Sequence, residues 1–446
     1  MVKTRKNILS SDLIWYLSLV LFRIVLDYVY VEFMHRVFML SYLSFDYQFD
    51  MMQYLISWGL YLVAIVLVKK RIKLYSDFFF LLFLLIQIAP LTSIYGLDND
   101  KALFPVVVTV VSFFVIYIVV YSRSKRIHIP IIKNANSLLL AVSVVLIVYL
   151  VMWSIITGAI RNFNLDFTRV YEFRMVNSKL MDLGPLAYIN IWVYKFFMLF
   201  LFCYFLYKQR FWMAVIVFLV QTYFYGITAH KAVFFYPFLC LIVWVVFHRT
   251  NKAIFLVNSF MAVILVAYLI YDLTAYSRPA TMMIRRVFFV QPRLTFEWFD
   301  FFSRNPHVFW SDKILSFIFK YPYESDVAIP YVVGTYLLSP DLCANNGFIS
   351  SGYAHAGIAG VMLYSVLLGV IIRLFDQLIF RGLPLWFVAC LTAIPTWALN
   401  ASDLFTVLLS HGLLLSYLIL VSIDVRSLMK KSVFLKNNQC KVNWNC

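Results

Sequence analysis

Twelve runs of mostly apolar residues, each long enough to cross a bilayer, recur along a chain of 446 residues. They lie at approximately 12–34, 51–68, 74–95, 104–121, 137–158, 186–207, 211–228, 232–248, 253–272, 354–372, 384–400 and 404–423. A span needs roughly 20 such residues, because a backbone in hydrocarbon has no water to bond and must satisfy itself within a helix. A soluble core could not hide them. Of all residues 63% are apolar and 13% charged, against about 45–50% and about 25% in a soluble domain. A soluble enzyme and a disordered chain are both excluded. The fold predicted is all-α, a polytopic membrane helix bundle of about 12 transmembrane helices forming one integral membrane domain over residues 1–446.

Between the spans the basic residues alternate. One side receives Lys3, Arg5, Lys6; Lys69, Lys70, Arg71, Lys73; Arg123, Lys125, Arg126, Lys133; Lys208, Arg210; Arg249, Lys252; Arg373, Arg381; and Arg426, Lys430, Lys431, Lys436, Lys441. By the positive-inside rule that side is cytoplasmic, with both termini and the 424–446 tail on it. The other side carries acids such as Asp46, Asp50, Asp98, Asp100, Asp166, Glu172 and Asp182. The net charge of +17 is thus largely an orientation signal, and no nucleic-acid partner is needed to explain it. The first span holds Arg23 and Asp27 and has no small-residue cleavage site, so it reads as a retained span. Arg23 and Asp27, at i and i+4, are expected to pair structurally, whereas Lys195 has no sequence partner inside its span.

Cys203, Cys240 and Cys390 fall in apolar runs, Cys440 and Cys446 in the tail, and Cys343 in an outer loop. None follows a metal or redox spacing, and no HExxH motif is present, so neither metal nor cofactor is expected.

Two outer loops, 160–185 and 273–353, are long for connections and therefore candidates for function. The second is rich in aromatic residues, from Phe288 to Phe319, and is expected to pack on the membrane face as interfacial helices. It opens on Arg278, Arg285, Arg286 and Arg293. Arginine makes planar, bidentate contacts to phosphate oxygens, so this set is a candidate diphosphate site; pairing with nearby acids or lipid headgroups is the alternative. Lys231, in the tight outer turn GITAHKA, runs against the charge bias and joins the same candidate set, a snorkelling lysine being the alternative. Its neighbour His230 reads as a hydrogen-bonded turn residue. Glu297, Asp300 and His355 are candidate bases for a hydroxyl proton, although both acids have arginines nearby to neutralise. Asn345, Asn346 and Tyr353, in NNGFISSGYAHAGIAG, are candidate sugar-binding groups, while Gly352, Ala356 and Gly360 form a small stripe for close helix packing.

These stretches, RRVFFVQPRLTFEWFDFFSRNP, ANNGFISSGYAHAGIAG and GITAHKA, together with the span count and the long late loop, resemble the Wzy family of O-antigen polymerases. A paired Arg-X10-Gly pattern found in some members is absent, since Arg174 to Gly184 is one residue short. The resemblance implies a GT-C-like glycosyltransferase of the bacterial inner membrane, working without metal at its periplasmic face. It would join undecaprenyl-diphosphate-linked oligosaccharide repeat units in lipopolysaccharide O-antigen synthesis. Membrane lipids, a chain-length regulator and a flippase of the same pathway are its implied partners. An O-antigen ligase, or a flippase or transporter of the lipid-linked oligosaccharide, remains open.

Overall fold

The computed structural model describes residues 2–122, 130, 132, 134–166, 170–312, 315–324, 327–337 and 341–426. Most of the basic 123–133 loop and the tail beyond Arg426, with Cys440 and Cys446, lie outside the described residues. Within them the chain is helical, with two isolated bridges, Gln48–Asp98 and Arg71–Lys252, and no strands.

Among the described residues, nine helices are long and apolar enough to cross a membrane: Asp12–Phe38, Tyr75–Leu97, Leu103–Tyr121, Ala135–Ile156, Leu186–Tyr207, Phe211–Thr228, Ile254–Thr274, Phe348–Phe380 and Leu404–Ser422. The other three predicted runs are also apolar helices, but shorter: Met51–Ile65, Val233–Phe247 and Leu385–Ala398. The helices turn large apolar side chains outward. Ile156 is 71% exposed, Val66 68% and Ile242 62%, a surface that lipid tolerates and water does not. The chain is a multi-pass helical membrane protein.

It divides into two compact units. The first comprises Met1–Lys125, Arg249–Asp376 and Ile394–His411; the second comprises Arg126–His248, Gln377–Ala393 and Gly412–Cys446.

The first unit is pinned internally by the charge pair that the i, i+4 spacing predicts. Arg23 is fully buried, its Nε 2.7 Å from an Asp27 carboxylate oxygen. The rest of the guanidinium donates to the Thr92 hydroxyl and carbonyl and to the Ser57 hydroxyl, while Ser93 and Tyr54 donate to Asp27. Trp58 and Tyr61 lie against its face. A buried ion pair survives desolvation when its remaining hydrogen-bonding groups are filled in this way.

The 273–353 loop contains a continuous helical run. Arg278–Ala280 leads into a π-helical segment, Thr281–Phe289, and then the α-helix Val290–Arg304. At its end the Val290 N–H reaches back five residues to the Arg285 carbonyl, two residues before Pro292, which has no N–H to return to the preceding turn. The run packs its aromatic face into the first unit and leaves Arg278, Met282, Met283 and Arg286 exposed. Phe288, Phe289, Phe296, Trp298, Phe299, Phe301 and Phe302 are all buried. Trp298 donates its indole N–H to the Ala344 carbonyl at 2.9 Å, and Phe299 stacks on Tyr353 at 4.1 Å between centroids.

The helical stretch Phe348–Phe380 is broken at Ala356 (φ −150°) and Gly357 (φ +59°, ψ −142°). There the small residues serve the helix itself. A side chain on Gly360 would put its Cβ 2.0 Å from the Gly352 carbonyl oxygen. The close neighbours that the glycine stripe admits are the two sides of its own break. His307 and Val308 come in beside it, the Val308 and Phe309 N–H groups donating to the Ala354 and His355 carbonyls that the break frees.

Candidate functional site

The four arginines occupy one helical run and cannot all meet one ligand. At ~1.5 Å rise per residue, Arg278 and Arg293 are roughly 20 Å apart, whereas a diphosphate is only a few ångströms long. Their surroundings separate them further. Arg278 and Arg286 are exposed, while Arg285 and Arg293 are buried. Arg293 is committed to structure: it pairs with Glu297 one turn on and donates from Nε to the Ser44 carbonyl at 2.9 Å. Arg285 lies over the Phe38 ring at 4.5 Å and near Tyr42 at 5.8 Å, and its buried Nε has no hydrogen-bond partner. Among the described residues no carboxylate pairs with Arg285 or Arg286. A buried cation without a counter-charge is expensive, which singles out Arg285, with the exposed Arg286 beside it.

The candidate bases are all engaged. Glu297 holds Arg293. Asp300 pairs with Arg304 at 2.7 Å and accepts the Tyr336 hydroxyl at 2.5 Å. His355 is 3% exposed. Its Nδ1 accepts the Trp310 N–H at 3.3 Å, its Nε2 is 3.6 Å from an Asp403 oxygen, and its ring stacks on Trp310. Asp403 also accepts the Tyr364 hydroxyl at 2.7 Å and caps the Leu404–Leu409 helix through the Phe405 and Thr406 N–H groups. Burial alone would raise the Asp403 pKa, but His355, Tyr364 and the Thr406 N–H outweigh it and hold it below the usual carboxylate value. Sequence reasoning missed Asp403, Tyr364 and Trp310. Its one available signal was an acid wedged between two apolar runs.

Of the candidate sugar ligands, Asn345 is exposed and Tyr353 is buried against Phe299. Asn346 is buried with both amide protons engaged, one on Thr295 at 3.2 Å and one on Ser350 at 2.9 Å. A small cleft of about 160 Å³ opens beside it, lined in part by Gln87, Gly347, Ser350 and Asn400, with the Gln87 amide oxygen left unpartnered.

Lys231 belongs to the second unit and is exposed. Its turn is shaped by Gly226, where a Cβ would strike the Phe163 ring at 2.2 Å, and by Ala229 at φ +52°. Behind it, His230 stacks on Tyr194 and lines a polar cleft of about 300 Å³ with Asn177, Asp182, Asn190 and Thr228. Burial, then the positive charges of Arg174 and Lys195, push the His230 pKa down to about 3. Burial raises that of Asp182, the nearby Asn190 and Arg174 opposing it. No family model, characterised protein or solved structure matches the chain.

Proposed function

We propose that this protein is an O-antigen polymerase of the inner membrane, a glycosyltransferase that moves a growing glycan from one undecaprenyl diphosphate to the sugar of the next lipid-linked repeat unit. The observation that carries this reading is the Arg285–Arg286 pair: two adjacent guanidiniums without acidic partners among the described residues, one of them buried with an unfilled donor. The leaving group of the reaction is a diphosphate, and preorganised guanidiniums stabilise the charge that develops on it as the glycosidic bond breaks. The apolar helix faces suit the polyprenyl tail.

The helix also bears on the proton. Glu297 and Asp300 are twelve and fifteen residues past Arg285, roughly 18 and 22 Å along a helix. The reacting sugar carbon is bonded to the diphosphate oxygen, so a donor seated on Arg285 is out of reach of both acids. Proton transfer from the acceptor hydroxyl to water or to the departing diphosphate fits this spacing, with catalysis resting on leaving-group stabilisation.

A deletion strain tests the assignment through its surface-glycan ladder. One repeat unit on each lipid core is the expected result; loss of all O-antigen would point to a ligase or a flippase and overturn it. Complementation with Arg285→Ala should restore protein in the membrane but no polymer. Polymer of ordinary length with that variant would remove Arg285 from the site.

A further inference from the structure

Cysteine is scarce in this chain, six residues in 446, yet three of them meet. Cys203 sits on the Met198–Tyr207 helix, Cys240 on Lys231–Arg249 and Cys390 on Leu385–Ala398. All three lie in the second unit and are at most 1% exposed. Their sulfur atoms lie within 4.8 Å of one another, and Cys390 Sγ donates to the Cys240 carbonyl at 3.6 Å. The cluster consists of thiols, with no imidazole or carboxylate in it among the described residues.

We propose that Cys203, Cys240 and Cys390 form a three-coordinate, all-sulfur site for a soft monovalent cation, with copper(I) the biological candidate. The dimensions fit: three sulfurs around an ion at ~2.3 Å, the length of a zinc–thiolate bond, stand ~4 Å apart. Ligand softness selects the ion, because thiolates favour copper(I) and zinc over harder cations. Coordination number and charge then separate those two. A closed zinc site takes four ligands, and this one offers three. A divalent ion needs two thiolates for neutrality, whereas copper(I) needs one, and an uncompensated charge at this depth is heavily penalised. Binding is therefore a proton exchange without redox change: copper enters as copper(I), one S–H bond breaks, one proton leaves to solvent, and two ligands remain thiols. The bound ion would clasp three helices whose cysteines are far apart in sequence. Nothing in this proposal depends on the glycosyltransferase reading.

The test is anaerobic titration of the purified full-length protein in nanodiscs with copper(I), buffered by a chromophoric copper(I) chelator. One ion per chain and about one proton released per ion are expected at neutral pH, with a rise in melting temperature. Cys203→Ser, Cys240→Ser and Cys390→Ser should each weaken binding more than tenfold, and Cys343→Ser should leave it unchanged. X-ray absorption on the loaded wild-type protein keeps the proposal testable should the serine variants fail to fold, since it should show sulfur neighbours only. Absence of stoichiometric binding, nitrogen or oxygen neighbours, tighter retention of zinc than copper(I), or undiminished binding by any of the three folded variants would overturn it.

Discussion

His230 shows how an isolated residue acquires a property its sequence neighbours do not supply. Burial and two cations hold its pKa near 3, so the imidazole stays neutral across physiological pH. The unfolded chain takes up that proton near pH 6.5, which means the folded state loses stability as pH falls below about 6.5 towards 3. In histidine-labelled protein the His230 resonance should not move above about pH 5, and His230→Asn should blunt the acid destabilisation; a titration midpoint near 6.5 would refute this. Asp403 follows the same rule in the same direction, in the carboxylate range. Its folded pKa is depressed, so its contribution is complete above the unfolded carboxylate value and is lost as pH falls through the lower folded one. Asp403→Asn at neutral pH should lower thermal stability by about 1–3 kcal/mol, the range for disrupting a buried hydrogen-bonded group. The Arg293–Glu297 pair makes a further prediction. Glu297→Gln strands a buried guanidinium and should cost about 3–5 kcal/mol, while Arg293→Met with Glu297→Leu should cost less than either single change. If Glu297→Gln keeps its stability but loses polymer, Glu297 is a base and not a structural partner.

At the scale of the element, the break in Phe348–Phe380 is a tightly constrained piece of backbone. Gly357 has φ +59° with ψ −142°, a region that side chains rarely enter, and a Cβ there would stand 3.3 Å from His307 Nε2. Gly357→Ala should cost about 1–3 kcal/mol from backbone strain. Gly360→Ala should cost more, because the atom it meets is the Gly352 carbonyl, which cannot swing aside. Gly59 serves as the control: it lies in the Met51–Ile65 helix with nothing within 4 Å of a Cβ, so Gly59→Ala should be neutral or stabilise by up to about 1 kcal/mol. Melting curves of the three variants in one detergent give the order directly, and equal losses for Gly360→Ala and Gly59→Ala would show that the break tolerates separation. The helix that follows Arg278 teaches the complementary point. Its arginines look clustered in text, but a helix spreads sixteen residues over roughly 20 Å and sorts them by face, leaving Arg285 and Arg286 as the adjacent pair without a carboxylate.

For the whole molecule the testable property is orientation. The alternation of basic loops predicts residues 273–353 outside and both termini inside. Cys343 is exposed, whereas Cys203, Cys240 and Cys390 are buried, so a membrane-impermeant maleimide applied to spheroplasts should modify Cys343 and spare those three. Modification of Cys343 only after lysis would invert the topology.

What the sequence determined by itself is the class of solvent. Hydropathy is a local, additive property, so runs of about twenty apolar residues announced helices in nearly their final positions, and an i, i+4 spacing announced the Arg23–Asp27 pair. What only the tertiary structure decided is which distant residues meet and which charges are already spent. Thr92, Ser57, Ser93 and Tyr54 complete the Arg23–Asp27 pair from two other helices, Asp403 finds His355 across 48 positions, and three cysteines without a motif converge from three helices. These contacts depend on how helices pack side by side, and helix packing is set by the shapes of whole faces, which no local pattern in the chain records.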